Sequence, residues 1–137
     1  MSVVILDASA LLAALMGETG CELAAGQIAG AVMCAVNYSE VLKRLTQAGM
    51  ANDLVTTTLA GLGFRVIDLD GRRAEIAASL WHDTKDFGLS LADRCCLSLA
   101  VVNGGRVLTA EIAMAKTALP IEVILVRHRS ASDPMKH

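Results

Sequence analysis

The sequence predicts an α/β protein in which helices cover a parallel sheet, and three observations carry that prediction. The first strand, Val3-Val4-Ile5-Leu6, is apolar at every position, whereas a strand with one wet face alternates. Short apolar runs then alternate with helix-compatible stretches along the chain. Finally, the 137 residues are 54% hydrophobic and 19% charged, enough for one buried core and too apolar for disorder over most of the length. With only 3% aromatic residues, that core is built from Leu, Val, Ile and Ala.

Taken in order, the first strand ends in Asp7-Ala8-Ser9, and residues 10–15 are helix-compatible until Gly17 breaks them. Cys21, Leu23, Ala24, Ala25 and Ile28 make a helical stripe over 18–28, closed by Gly30. The apolar run 31–36 is a second buried strand. Asn37 then reads as an N-cap with Glu40 three residues on, the spacing of a capping box, and the helix runs to Gly49. A further helix over 52–62 completes a hairpin, whose apolar residues Val55, Leu59 and Leu62 read as core.

The run 65–69 alternates and predicts a partly exposed strand, followed by the turn Asp70-Gly71. Residues 72–84 form a helix with Ala74, Ile76, Ala77, Leu80 and Trp81 on its apolar side. Ser90 or Leu91 opens a helix over 91–102 that is apolar nearly all round and therefore buried, which makes Asp93 in its first turn conspicuous. Residues 106–109 form a strand, 110–118 a short helix stopped before Pro120, and 121–126 the last strand. One domain over 1–128 and a polar tail over 129–137 are expected.

Several function classes are excluded. No apolar run approaches the ~18 residues that span a bilayer, and no basic segment leads into a signal-type apolar core, so a soluble, cytoplasmic protein is expected. Cys21, Cys34, Cys95 and Cys96 form no C-x-x-C pair and lie in apolar segments, as small buried hydrophobes do, so no disulfide framework or zinc site is indicated. A net charge of −2 argues against a broad basic footprint, although local patches can hide in such a total. The three histidines, His82 in a helix and His128 and His137 in the tail, make no Ser-His-Asp or Cys-His arrangement.

Four acids stand where chemistry is expected. Asp7 follows the first strand, Glu40 and Asp93 lie in first helical turns, and Glu111 follows the strand over 106–109. Strand ends and the helix starts after them share one edge of an α/β sheet, where ligands bind, so the four side chains can converge. Converging carboxylates repel unless a cation cancels their charge, and magnesium takes oxygen ligands. Such a cluster suits phosphodiester hydrolysis, in which one or two ions activate a water and neutralise charge on the phosphate. Each acid also has a plainer reading: Asp7 as a turn cap, Glu40 in a capping box, Asp93 as a dipole-favoured acid, Glu111 as a cap of its own helix.

The ordered motifs Val4-Ile5-Leu6-Asp7-Ala8-Ser9-Ala10-Leu11, Asn37-Tyr38-Ser39-Glu40-Val41-Leu42, Leu89 to Ala100 around Asp93-Arg94, and Val107-Leu108-Thr109-Ala110-Glu111 resemble those of PIN-domain ribonucleases, most nearly the VapC toxins of bacterial type II toxin-antitoxin systems. The resemblance implies an α/β/α sandwich with a mostly parallel central sheet, Mg2+- or Mn2+-dependent endoribonuclease activity on RNA, a VapB-type antitoxin as partner, and a homodimer. It makes Asp7, Glu40 and Asp93 metal-site and catalytic acids. Thr109 matches a polar residue beside the site, and Ser9 and Thr109 are the candidate substrate contacts. One departure is Glu111, where the family usually has Asp in a Thr-x-Asp pattern, so the second ion's hold there is expected to be looser.

Two other enzyme or nucleotide-binding readings fail on the residues. A haloacid-dehalogenase-like phosphatase needs a second Asp where Ser9 stands, and a nucleotide-binding doubly wound domain needs glycines after the first strand. The competing class is a PIN-fold RNA- or protein-binding module with little or no turnover.

Overall fold

The computed structural model describes residues 3–126. Five strands form one sheet: β1 (Val4–Leu6), β2 (Val32–Cys34), β3 (Arg65–Ile67), β4 (Arg106–Thr109) and β5 (Glu122–Leu125). Their order is β3-β2-β1-β4-β5, and every pairing is parallel. The expected α/β/α arrangement with a parallel sheet is what the chain adopts. The polar tail, its boundary at 128, His128 and His137 lie outside the described residues.

The helices are α1 (Ala8–Leu15), α2 (Cys21–Ala25), α3 (Ala35–Gln47), α4 (Asn52–Ala60), α5 (Gly71–Ser79), α6 (Trp81–Thr84) and α7 (Leu91–Asn103), with 3-10 turns at Lys85–Phe87 and Ile112–Lys116. Successive side chains on a strand point to opposite faces, and the sheet uses that to build two cores. Leu6, Met33 and Leu108 pack with α1, α3 and α4, whereas their neighbours Ile5, Val32 and Val107 pack with α5 and α7 on the other face. This is why β1 has no polar position. Val55 and Leu59 are buried, so the α3–α4 hairpin is core, as its apolar stripe predicts.

β1 pairs with β2 on one side, through Ile5 and Val32, and with β4 on the other, through Leu6 and Leu108. The chain first builds outward through β2 and β3, then returns past β1 to build β4 and β5. The switch in direction falls between β1 and β4, where a crevice opens at the carboxyl ends of the strands. Asp7 follows the first of those strands and Thr109 ends the second.

Several local expectations are corrected. Residues 35 and 36 belong to α3 rather than to the second strand, because an apolar run by itself does not separate strand from buried helix. In consequence Asn37 is not an N-cap and Glu40 is not half of a capping box: the cap position is Cys34, without a side-chain bond. The helix over 18–28 contracts to Cys21–Ala25. The helix over 72–84 breaks after Ser79, whose hydroxyl bonds the Ile76 carbonyl at 2.6 Å and competes with the helical ladder. That break turns Trp81 outward, 48% exposed, beneath the Lys85 ammonium at 5.1 Å, instead of onto the apolar side. The helix over 110–118 is the 3-10 turn Ile112–Lys116.

Cys34, Cys95 and Cys96 are buried and all four thiols are free. Burial pushes the Cys95 thiol up to about 11 and that of Cys96 well above its ordinary range, as expected of packing residues that stay protonated.

Candidate metal centre

β1 delivers Asp7 to the crevice, and the following residue already starts α1, so its carboxylate is held at a strand-to-helix corner and is 3% exposed. Two hydroxyls grip one of its oxygens. Ser9 Oγ donates to Asp7 Oδ2 at 2.5 Å and Thr109 Oγ1 donates to the same oxygen at 2.8 Å. Each hydroxyl has one proton, so the 3.1 Å contact between Ser9 and Thr109 carries no hydrogen bond while both donate to Asp7. In return Ser9 Oγ accepts from the Ala110 N–H and Thr109 Oγ1 from the Glu111 N–H, each at 2.9 Å. The ends of β1 and β4 are thereby locked together.

α7 carries Asp93 from the opposite face of the sheet. Ser90 caps the helix, accepting from the Asp93 N–H at 3.2 Å, while Asp93 Oδ2 accepts from the Ser90 N–H at 2.8 Å. The capping reading of Asp93 is therefore correct, and it does not compete with a role in the crevice. A carboxylate has two oxygens, and the box occupies one. Glu111 precedes the 3-10 turn at Ile112–Lys116 and makes no side-chain cap, so its carboxylate is free to turn to the crevice.

Asp7, Asp93 and Glu111 each bring a carboxylate oxygen to within 4.8 Å of the others. Glu40, from α3, lines the same cleft of about 450 Å³ but stands outside that trio. The sequence thus brings all four acids to one place, and the tertiary structure ranks them differently from the family pattern. The longer Glu111 side chain reaches the trio.

The electrostatics are those of a site short of positive charge. Burial, above all, pushes the Asp7 carboxyl up from its usual range, and the nearby Asp93 charge adds to this; the Ser9 and Thr109 bonds and the Ala8 amide only partly offset it. Desolvation likewise raises Glu111, helped by Asp93, Asp7 and Glu40. Glu40 is raised by desolvation and by Asp7 and Asp93, with Lys43 pulling the other way. Three converging hard oxygen donors suit Mg2+ or Mn2+, and among the described residues no thiol or imidazole joins the group.

Asn37 is a residue whose position in the sequence suggested another role. It is fully buried, and its Nδ2 donates to the Ala92 carbonyl at 3.1 Å, tying the first turn of α3 to the first turn of α7 beside Asp93. Its Oδ1 is buried without a hydrogen-bond partner among the described residues. The signal available in the sequence was a polar residue one turn before Glu40.

The PIN domain family model matches residues 4–119. No curated protein matches the sequence. Among solved structures, the chain is similar to one from a toxin-antitoxin complex of Klebsiella pneumoniae, with a TM-score of 0.75, 16% identity, and 92% of this chain and 99% of that chain covered. It is also similar to a chain of the DNA-bound VapBC of Salmonella typhimurium, at a TM-score of 0.67 and 13% identity over 93% and 100% of the two chains. A chain of FitAcB from Neisseria gonorrhoeae gives 0.65 and 17% identity over 90% and 98%. These likenesses concern the fold. With a family match over most of its length and the acids of the motifs gathered in one crevice, the chain belongs to the PIN domain family.

Proposed function

We propose that this protein is a metal-dependent endoribonuclease and the toxin of a toxin-antitoxin pair, with Asp7, Asp93 and Glu111 as metal ligands and Glu40 completing the site. The observation that carries the proposal is the convergence of three carboxylate oxygens within 4.8 Å at the sheet's switch point. Bound Mg2+ or Mn2+ would supply charge neutralisation at the phosphate and a lowered pKa for an attacking water. The chain's own residues do the rest. Ser9 and Thr109 fix the Asp7 carboxylate, so these two candidate substrate contacts act as positioning residues. Glu40, which lines the cleft with its carboxyl raised by desolvation and then by Asp7 and Asp93, would take or hold a proton.

The solved structures named above include complexes of toxins with antitoxins, which supports a VapB-type protein as partner. A homodimer and a cytoplasmic location complete the proposal; among the described residues, no helix is long and apolar enough to cross a membrane. The binding-module alternative rests on Glu in place of Asp at 111 and on the chain's modest basicity; the reach of Glu111 into the trio supports turnover instead.

The test is cleavage of a mixed cellular RNA by the purified protein with Mg2+ or Mn2+, with chelator, and with Asp93→Asn. The asparagine keeps an oxygen for the Ser90 N–H, so the fold is preserved. Cleavage that needs metal and disappears in the variant supports the proposal. Intact RNA in every lane, with folded protein and several RNA pools, refutes it.

A further inference from the structure

The wall of the cleft opposite α7 is one face of α3. Glu40, Lys43, Arg44 and Gln47 are spaced i, i+3, i+4 and i+7, which places them along a single side of the helix, and all four line the cleft. Lys43 and Arg44 are the basic residues of that lining, and they stand about 4.5 and 6 Å along the helix axis from Glu40. Neither is held by an ion pair: among the described residues the ion pair is Arg73 with Asp70, far along the chain on α5. The other wall, from Gly88 through Ser90 to Asp93, contributes no cation.

A chain with net charge −2 has placed two unpaired cations one helical turn from a group of carboxylates, on the same wall and open to solvent. Attraction to the carboxylates does not account for both. Arg44 lies in the last turn of α3, where the helix dipole favours a cation, but Lys43 gains less there, and neither reason aims the pair into the cleft. Two cations beside a site for one phosphate suit a ligand with more than one phosphate.

We propose that Lys43 and Arg44 bind the backbone phosphates that flank the bond to be cut, so that a single polynucleotide strand lies along α3 and crosses the carboxylates with an internal phosphodiester. This rests on the nuclease reading of the same site and names the substrate's form and path. Asp7 is 3% exposed, so the scissile phosphate must be lowered to the crevice floor. A flexible single strand can bend to do this, whereas a duplex holds its phosphates on a stiff convex surface. Arg44 offers a planar fork and Lys43 a point charge, and both bind phosphate without reading the base.

The test separates binding from cleavage. A fluorescently labelled single-stranded RNA is titrated with Asp93→Asn protein in Mg2+ buffer over a series of KCl concentrations. Lys43→Gln and Arg44→Gln in that background are each expected to weaken binding several-fold and to reduce the slope of log K against log [KCl] by about 0.7, the value for one phosphate contact on a single strand. Arg72→Gln, which removes an exposed charge from α5, should leave the slope unchanged, and Lys43→Arg should restore it. The proposal falls if the Lys43 and Arg44 variants keep the parent slope, if Arg72→Gln lowers it equally, or if the parent does not bind the strand. A lowered slope in a protein that cuts no RNA would keep this binding path and remove the nuclease reading. Normal cleavage with unchanged slopes would do the reverse.

Discussion

Thr109 Oγ1 donates to Asp7 Oδ2 at 2.8 Å across 102 residues of sequence, and Thr109 Oγ1 itself accepts from the Glu111 N–H at 2.9 Å. One hydroxyl therefore sets the position of two of the three converging acids. Thr109→Val keeps the shape and removes both bonds, leaving a buried carboxylate short of a donor and an N–H short of an acceptor. A loss of about 1–3 kcal/mol in denaturant unfolding is expected, together with about 10- to 100-fold weaker metal binding or activity. Thr109→Ser should retain most of both. Wild-type stability in the valine variant would show the hydroxyl to be incidental.

The pH dependence of stability follows from the sign of the shifts. Asp7, Glu40 and Glu111 are raised in the folded protein, so the fold binds their protons more tightly than the unfolded chain does. Their contribution is fully present below the ordinary carboxylate range and is lost as pH rises through the raised values. Metal-free protein is thus expected to gain thermal stability as pH is lowered from neutral toward the carboxylate range. Asp7→Asn should raise the melting temperature at neutral pH and flatten that profile while abolishing cleavage. A metal-free melting temperature that falls steadily on acidification would contradict the assignment.

Metal reverses this trend, because it binds the charged carboxylates. Magnesium at about 100 times its Kd should stabilise the fold by about 2.7 kcal/mol, with the gain growing as pH rises. Asp93→Asn and Glu111→Gln should each shrink the gain, and Glu40→Gln should shrink it less, because Glu40 lies outside the trio. Differential scanning calorimetry with and without chelator reads this directly. Equal losses for Glu40 and Glu111 would place both at the ion.

Asn37 ties α3 to α7 through the Ala92 carbonyl. Asn37→Ala is expected to cost about 1–2 kcal/mol in stability and to lower activity by more than the unfolded fraction explains, since it unlinks the walls that carry Glu40 and Asp93. Activity measured well below the melting temperature separates the two effects. An active, merely less stable variant would reduce Asn37 to a packing role.

Gly17 and Gly20 both have left-handed backbones, at φ +65° and +89°, but differ in surroundings. A Cβ at Gly17 meets nothing within 4 Å, while one at Gly20 would lie 2.0 Å from the Val126 carbonyl oxygen. Gly17→Ala should cost about 1 kcal/mol, the left-handed penalty by itself. Gly20→Ala should cost clearly more, because backbone has to move. Equal urea midpoints for the two variants would mean that the loop carrying Gly20 shifts freely.

The layered fold and the four acids are legible in composition and spacing alone. Strands of continuous apolar residues have a physical meaning in only a few architectures, and β1 and β2 are covered on both faces as their composition demands. The carboxylates were legible because strand ends and helix starts fall on one edge of such a sheet, whatever the loops do. The helix boundaries were less legible. Ala35 and Val36 are apolar in either element, and only the packing of α3 against α1 and α7 decided that they belong to the helix, which moved Asn37 from a cap to a buried tie between helices.

Rank within the site was likewise a tertiary matter. Reach depends on where a backbone is anchored as well as on side-chain length. The bond from Glu111 N–H to Thr109 sets that anchor for Glu111, so the acid that departs from the family pattern joins Asp7 and Asp93, and Glu40 stays at the cleft's edge beside Lys43 and Arg44. Spacing along a chain specifies which residues share a face. The distance between faces is set only when the helices pack on the sheet.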